Sequence, residues 1–219
     1  DDVMLNRRDA QALIPVVTGK QPLYVRVERA ADIRMVLTLK KEFPAVRLVI
    51  VGATEGWMVA GELARSGVPV LATPLNNLPD TFEQLGATQS NVGRMKAGGV
   101  KVSLGAFFDQ PRYAPQYAGN LVAVGRVPGA SGLTWNQAFS AISSGPAEAM
   151  GLGDRFGSLR PGRAGDVVIW DGDPLEVTSG VTMVFIDGVE QPLKDHQTRL
   201  RDRYKSGPAE GALPKAYEW

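Results

Sequence analysis

Between Leu23 and Leu104 the chain repeats one unit, a short apolar run followed by a stretch with helical spacing. The runs are Leu23–Val27, Leu48-Val49-Ile50-Val51, Val68–Ala72 and Val100–Leu104. A strand wet on one side alternates apolar and polar residues. A strand apolar throughout is covered on both faces, as in a parallel sheet wrapped by helices. Between the runs, Ile33, Val36, Leu37 and Leu39 recur at helical spacing over 30–43 and stop at Pro44. A second helical segment carries Trp57, Val59, Ala60 and Leu63. A third is expected from Asp80, as N-cap, to Lys96, ended by Gly98-Gly99. Four such βα units are half of a (β/α)8 barrel, a fold of ~250 residues. A free-standing doubly wound sheet is the competing architecture.

The texture then changes. Helical stretches are expected over 113–124 and 134–150, the second interrupted by Gly145-Pro146. Short strands over 166–170 and 181–186 follow, punctuated by Asp171-Gly172-Asp173-Pro174 and Asp187-Gly188. A charged helix over 194–205 leads to a Pro/Gly-bearing tail, 206–219, expected to lie on a surface.

Composition narrows the function classes. Lys and Arg number 24 and Asp and Glu 23, a net charge of +1 that favours neither nucleic acid nor an anionic membrane. No apolar run is long enough to span a bilayer. With no cysteine, disulfides and thiolate chemistry are excluded, as suits a soluble cytoplasmic or periplasmic protein. The opening Asp1-Asp2 is expected of a processed or truncated product, or of the mature end of an exported one. The single histidine, His196, stands among Lys194, Asp195 and Gln197 and reads as a surface residue. One imidazole cannot assemble the clusters on which hydrolytic zinc sites rest.

The segment from Gly157 through Arg160-Pro161-Gly162-Arg163-Ala164-Gly165-Asp166 to Asp171-Gly172-Asp173-Pro174 resembles the C-terminal signature of the amidohydrolase superfamily. The similarity is to its imidazolonepropionase-like and Xaa-Pro dipeptidase-like branch. Val181-x-x-Val184-x-Ile186-x-Gly188 resembles the strand that follows, and Pro146-Ala147 to Gly151-Leu152 the last barrel helix. The resemblance, from about Ala10 to Gly188, implies an α/β chain: the C-terminal half of a TIM-like barrel at 1–152 and a composite β-sandwich portion at 153–191. A C-terminal helix and tail at 192–219 complete that division.

The family's chemistry implies zinc held by a His-x-His pair after the first strand, a carboxylated Lys or Glu after the fourth, His after the fifth and sixth, and Asp after the eighth. By this register the chain begins just before the fifth strand and should supply His, His and Asp. Val25-Arg26-Val27-Glu28-Arg29 instead puts Arg26 at the first of these positions. Val51-Gly52-Ala53-Thr54-Glu55-Gly56-Trp57 puts Gly52 at the second. The third falls at Phe107 or Phe108, with Asp109 one or two places late. Guanidinium, glycine and phenylalanine are not zinc ligands. The expectation is therefore no metal and no cofactor in this chain, with Glu28 and Asp109 at most a poor oxygen site.

Candidate cleft residues are Arg26, Glu28, Arg29, Glu55, Asn76, Asn77, Phe107 and Asp109. Arg26 could grip a ligand carboxylate with its guanidinium fork. The plainer reading has Arg26 and Glu28, on the same face by strand alternation, pairing with each other or with barrel neighbours. The glycine loop 52–56 suggests a phosphate cradle but lacks the full spacing and a basic lysine. Thr54 is expected to cap the next helix, with Glu55 in its first turn. Asn76 and Asn77 lie on a loop that relatives use for substrate, although Pro74–Pro79 needs no chemistry to be a good loop. Trp57 and Trp170 suit packing better than ligand stacking. Ser103 and Ser143 have no histidine to activate them.

Three readings remain. The chain is part of a hydrolase of C–N bonds in amides, peptides or cyclic imides, as the resemblance implies, or a non-catalytic binding or scaffold protein on the same fold. A nucleotide-binding doubly wound domain is the third. Expected partners are a missing N-terminal half or a second copy, with a small-molecule ligand allowed.

Overall fold

The computed structural model describes residues 6–106 and 111–205. Helices α1 (Arg7–Ala12) and α2 (Ile14–Val17) precede strand β1 (Pro22–Val27), helix α3 (Ala30–Glu42) and strand β2 (Arg47–Gly52). A 3-10 turn (Gly56–Val59) runs into α4 (Ala60–Ser66), then β3 (Val70–Ala72), a 3-10 turn at Phe82–Gln84, α5 (Asn91–Ala97) and β4 (Val102–Leu104).

These four strands form one parallel sheet in the order β1-β2-β3-β4. The order never reverses, so the sheet lacks the switch point of a doubly wound fold. Register sets Val25, Ile50, Val70 and Val102 side by side, and likewise Val27, Gly52, Ala72 and Leu104. This face meets Ile33 and Leu37 of α3, Leu63 of α4, and Val92 and Met95 of α5 in one core. Burying such side chains contributes about 1.5–3 kcal/mol each.

The alternate face carries Tyr24, Arg26, Val51, Leu71 and Ser103. Leu71 and Ser103 are buried there, and α8 packs against β3 and β4. At the β1 end Tyr24 and Arg26 are exposed. The sheet is thus an open arc, with β1 and β4 at its edges among the described residues.

Beyond β4 come a 3-10 turn (Pro111–Tyr113), α6 (Ala114–Val124), α7 (Trp135–Ala141) and α8 (Ser144–Ala149). Thr134 opens α7 with a reciprocal capping box to Gln137. A second, antiparallel sheet holds β5 (Val167–Trp170), β6 (Val181–Ile186) and β7 (Val189–Gln191), the last unforeseen from sequence. Helix α9 (His196–Lys205) follows, capped by Asp195, whose carboxylate accepts from the Thr198 backbone N–H and hydroxyl at 2.7 Å each. The expected tail, 206–219, lies outside the described residues.

One expected helix is corrected. Residues 80–96 are not continuous: the chain forms a loop with a short 3-10 turn, and only Asn91–Ala97 is α-helical. Asp80 caps nothing; its backbone N–H donates to Gln84 Oε1 at 3.2 Å. Of the apolar residues in this stretch, Phe82 and Leu85 are 82% and 68% exposed. A stripe with no core to bury itself in cannot stabilise a helix.

Candidate active site

The carboxyl ends of parallel strands are where α/β folds place their sites. Here that end is formed by Glu28 after β1, the 52–57 turn after β2, Thr73 after β3 and Gly105 after β4. Gly52 has φ +94° and Ala53 φ +54°, left-handed values that turn the chain sharply out of the strand. For alanine that conformation carries strain, and it is held from two sides. The Ala53 N–H donates to the Val27 carbonyl at 2.8 Å, and Asn91 Nδ2 donates to the Ala53 carbonyl at 2.9 Å.

Glu28 is the centre of this mouth. Its Oε2 accepts from the Thr54 backbone N–H at 3.0 Å and from the Thr54 hydroxyl at 2.7 Å. Its Oε1 is buried with no hydrogen-bond partner and lies 3.6 Å from Arg26 Nε. The Arg26 side chain is 60% exposed, against 11% for Glu28. Thr54 is therefore not the helix cap expected of it. Its hydroxyl is turned to Glu28, and Asn76 Nδ2 reaches the same oxygen at 3.5 Å.

Glu55 also departs from expectation. Its carboxylate answers a helix, but α3 rather than the one that follows it: Oε2 accepts from the N–H of Ala30, the first residue of α3, at 2.9 Å. Oε1 accepts from the Gly86 N–H at 2.9 Å, tying down the loop after β3. Glu55 is only 7% exposed. Replacing it with alanine leaves the buried Ala30 N–H and the part-buried Gly86 N–H unpaired, at a cost of about 1–3 kcal/mol. Urea unfolding should show that loss, whereas Glu55→Gln should retain one of the two bonds and fall between.

Arg29, at the N-cap of α3, pairs with Glu83 at 3.7 Å. The Thr81 hydroxyl, then its own backbone N–H, and then Arg29 hold the Glu83 carboxyl below its ordinary range. Asn77 is exposed, and its Oδ1 accepts from the Gln89 N–H at 3.4 Å. Phe107 and Asp109 lie outside the described residues.

Sequence reasoning missed Asn91, the buried residue that also accepts from the Trp57 N–H at 3.0 Å. A polar residue opening a helix just after Ser90 was the available signal. Trp57 donates Nε1–H to the Gly86 carbonyl at 2.9 Å and lies under the Arg94 guanidinium, 4.5 Å from the ring centroid. It packs, as expected. Ser143 donates to the Phe139 carbonyl at 2.6 Å, Ser103 is buried, and His196 is exposed at the start of α9. None of the three is placed to act as a nucleophile–base pair.

At the opposite end of the sheet, a cleft of about 270 Å³ is lined by Pro22, Lys40, Arg47, Glu148 and Gly151 among others. Lys40 Nζ donates to the Pro44 and Val46 carbonyls at 2.6 and 2.7 Å, and Arg47 to the Met150 carbonyl at 3.3 Å. Its cations are thus committed to backbone.

The amidohydrolase family model matches residues 48–190, more than half of the chain. This chain belongs to the amidohydrolase family. A solved amidohydrolase from Thermotoga maritima MSB8 is 27% identical with a TM-score of 0.74, covering 87% of this chain and 48% of that one. An adenosine deaminase from Xanthomonas campestris with bound zinc is 20% identical (TM-score 0.57; 91% of this chain, 54% of that one) and shares the fold. So does a prolidase complexed with N-methylphosphonate-L-proline, 16% identical (TM-score 0.59; 85% and 49%). Amidohydrolase tasK of Hapsidospora irregularis is 38% identical over 60 residues, 27% of this chain and 6% of that protein. The chain spans about half the length of the solved relatives. The four-stranded arc is part of a (β/α)8 barrel, and the antiparallel sheet is the small β portion that follows it.

Proposed function

We propose that this chain is the C-terminal half of an amidohydrolase-family protein and supplies its scaffold and part of its mouth, but no ligand to a zinc ion. By family, the whole protein hydrolyses C–N bonds in amides, peptides or cyclic imides. A non-catalytic binding or scaffold protein on the same fold is the alternative. In this reading 1–152 form the barrel half, 153–191 the composite sandwich portion and 192–219 a C-terminal extension.

One observation carries the reading: the carboxylate at the mouth is held by Thr54 on one oxygen and faces a guanidinium with the other. The residues do not fit zinc. Arg26 offers a permanently protonated guanidinium where the family register has a ligand, and Gly52 offers no side chain. Glu28, the one carboxylate between them, gives Oε2 to Thr54 and faces Arg26 with Oε1. A divalent ion on Oε1 would have to share it with a guanidinium 3.6 Å away. Among the described residues, no three of His, Cys, Asp or Glu gather as a ligand set.

A partner is part of the proposal. Edge strands with unpaired N–H and C=O groups invite pairing, and β1 presents Tyr24 and Arg26 on an open face. The missing barrel half is the first candidate and a second copy the next.

The test is elemental analysis of the purified chain, alone and with any partner that co-purifies, alongside assays of dipeptide and cyclic-imide hydrolysis. The expected result is no stoichiometric transition metal on the chain alone and no metal-dependent turnover. Zinc bound at one equivalent and lost on Glu28→Ala would overturn the reading. Turnover that appears only with the partner would decide for the hydrolase over the scaffold.

A further inference from the structure

We infer that the Glu28 carboxylate occupies the space that a side chain at position 52 would need, so that the mouth is locked by an internal anion and position 52 is closed to any ligand. A methyl group on Gly52 would fall 2.3 Å from Glu28 Oε1 and 2.7 Å from both Cδ and Oε2. Non-bonded carbon and oxygen do not approach so closely. One of the two must yield.

Glu28 is poorly placed to yield. Thr54, 1% exposed, holds Oε2 with both its N–H and its hydroxyl. The other oxygen is buried and faces Arg26 Nε. Swinging the carboxylate away would break both bonds to Thr54 and leave the Thr54 N–H without its partner, inside a turn already strained at Ala53. The departures at positions 26 and 52 are then physically linked through Glu28. An acid fills the vacated volume, a guanidinium stands beside it as counter-charge, and glycine makes room. Placing an imidazole at position 52 would not by itself rebuild a ligand, because Glu28 would have to leave first. This deepens the proposed function and rests on its register for positions 26 and 52, although the contact itself does not depend on that register.

A double-mutant cycle on the full 219-residue chain tests it, with Gly52→Ala, Glu28→Ala and the double variant compared by urea unfolding. Gly52→Ala should be the most damaging single change, since alanine at this φ is strained even in open space. The double variant should be at least about fivefold more stable, in folding equilibrium constant, than the product of the single effects. Agreement with that product within about twofold would overturn the inference. Should Gly52→Ala yield no folded protein, the readout is recovery of folded protein on adding Glu28→Ala; recovery supports the lock, and failure to recover overturns it. Additivity would leave the proposed function untouched, because that reading stands or falls on metal content.

Discussion

Asn91→Ala should destabilise the protein by about 2 kcal/mol and loosen the mouth before the rest of the core gives way. The side chain serves two backbone groups of the 53–57 turn, accepting from the Trp57 N–H and donating to the Ala53 carbonyl. The Ala53 carbonyl keeps the Gly56 N–H at 2.9 Å, so the Trp57 N–H is the group that loses its partner, and Asn91 is 5% exposed. Each buried group left unpaired costs about 1–3 kcal/mol. Helix propensity pulls the other way, since alanine is the better helix former by under 1 kcal/mol. The desolvation cost wins. Trp57 reports the effect directly, because its N–H is one of the groups released. Its fluorescence should change at lower urea concentrations than far-UV circular dichroism does. Coincident transitions with an unchanged midpoint would show that the turn is held by something else.

Two residues on, Gly93→Ala should cost about 3 kcal/mol despite its position inside a helix. In an open helix this substitution stabilises by roughly 1 kcal/mol. Here the added methyl would lie 2.1 Å from the Ser131 carbonyl oxygen, 2.4 Å from its carbon and 2.8 Å from the Gly132 oxygen. All three are backbone atoms and cannot rotate away. The 131–132 turn is also anchored, since the Ser131 N–H donates to Ser90 Oγ at 2.9 Å and the Leu133 N–H to the Leu121 carbonyl at 3.0 Å. Either α5 or the turn must shift, and overpacking of this kind costs about 1–3 kcal/mol or more. A lowered urea midpoint with an unchanged slope is the expected result; a raised midpoint would mean that the turn moves freely.

Both predictions fall on α5, the helix most obscured in the sequence. The helix expected from Asp80 starts only at Asn91, because Phe82 and Leu85 upstream stay exposed and bury nothing. Periodicity reports where apolar residues could be aligned, not whether a core exists for them. The parallel sheet was far more legible. Its strands are largely apolar on both faces, helices separate them, and Gly or Pro stands in the turns beside them except after β1. Each of those signals lies within a few residues of the element it defines.

The site divides the same way. The Arg26–Glu28 pairing could be suspected from strand alternation, because Glu28 continues the spacing of β1 one residue past its end at Val27. The destinations of Thr54, Glu55 and Asn91 could not. Thr54 meets a residue 26 positions away, Glu55 partners 25 and 31 away, and Asn91 partners 34 and 38 away. No spacing rule reaches that far.

Local pattern and side-chain chemistry were enough to determine the βα rhythm, the parallel sheet, the family resemblance and the count of one histidine and no cysteine, since each is a property of short segments or residue types. Only the tertiary structure decided that Glu28 fills the place beside Gly52, that Glu55 caps α3 rather than its own helix, and that Asn91 holds the strained turn at Ala53. Those contacts exist only once the parallel register sets the ends of β1, β2 and β3 at one level.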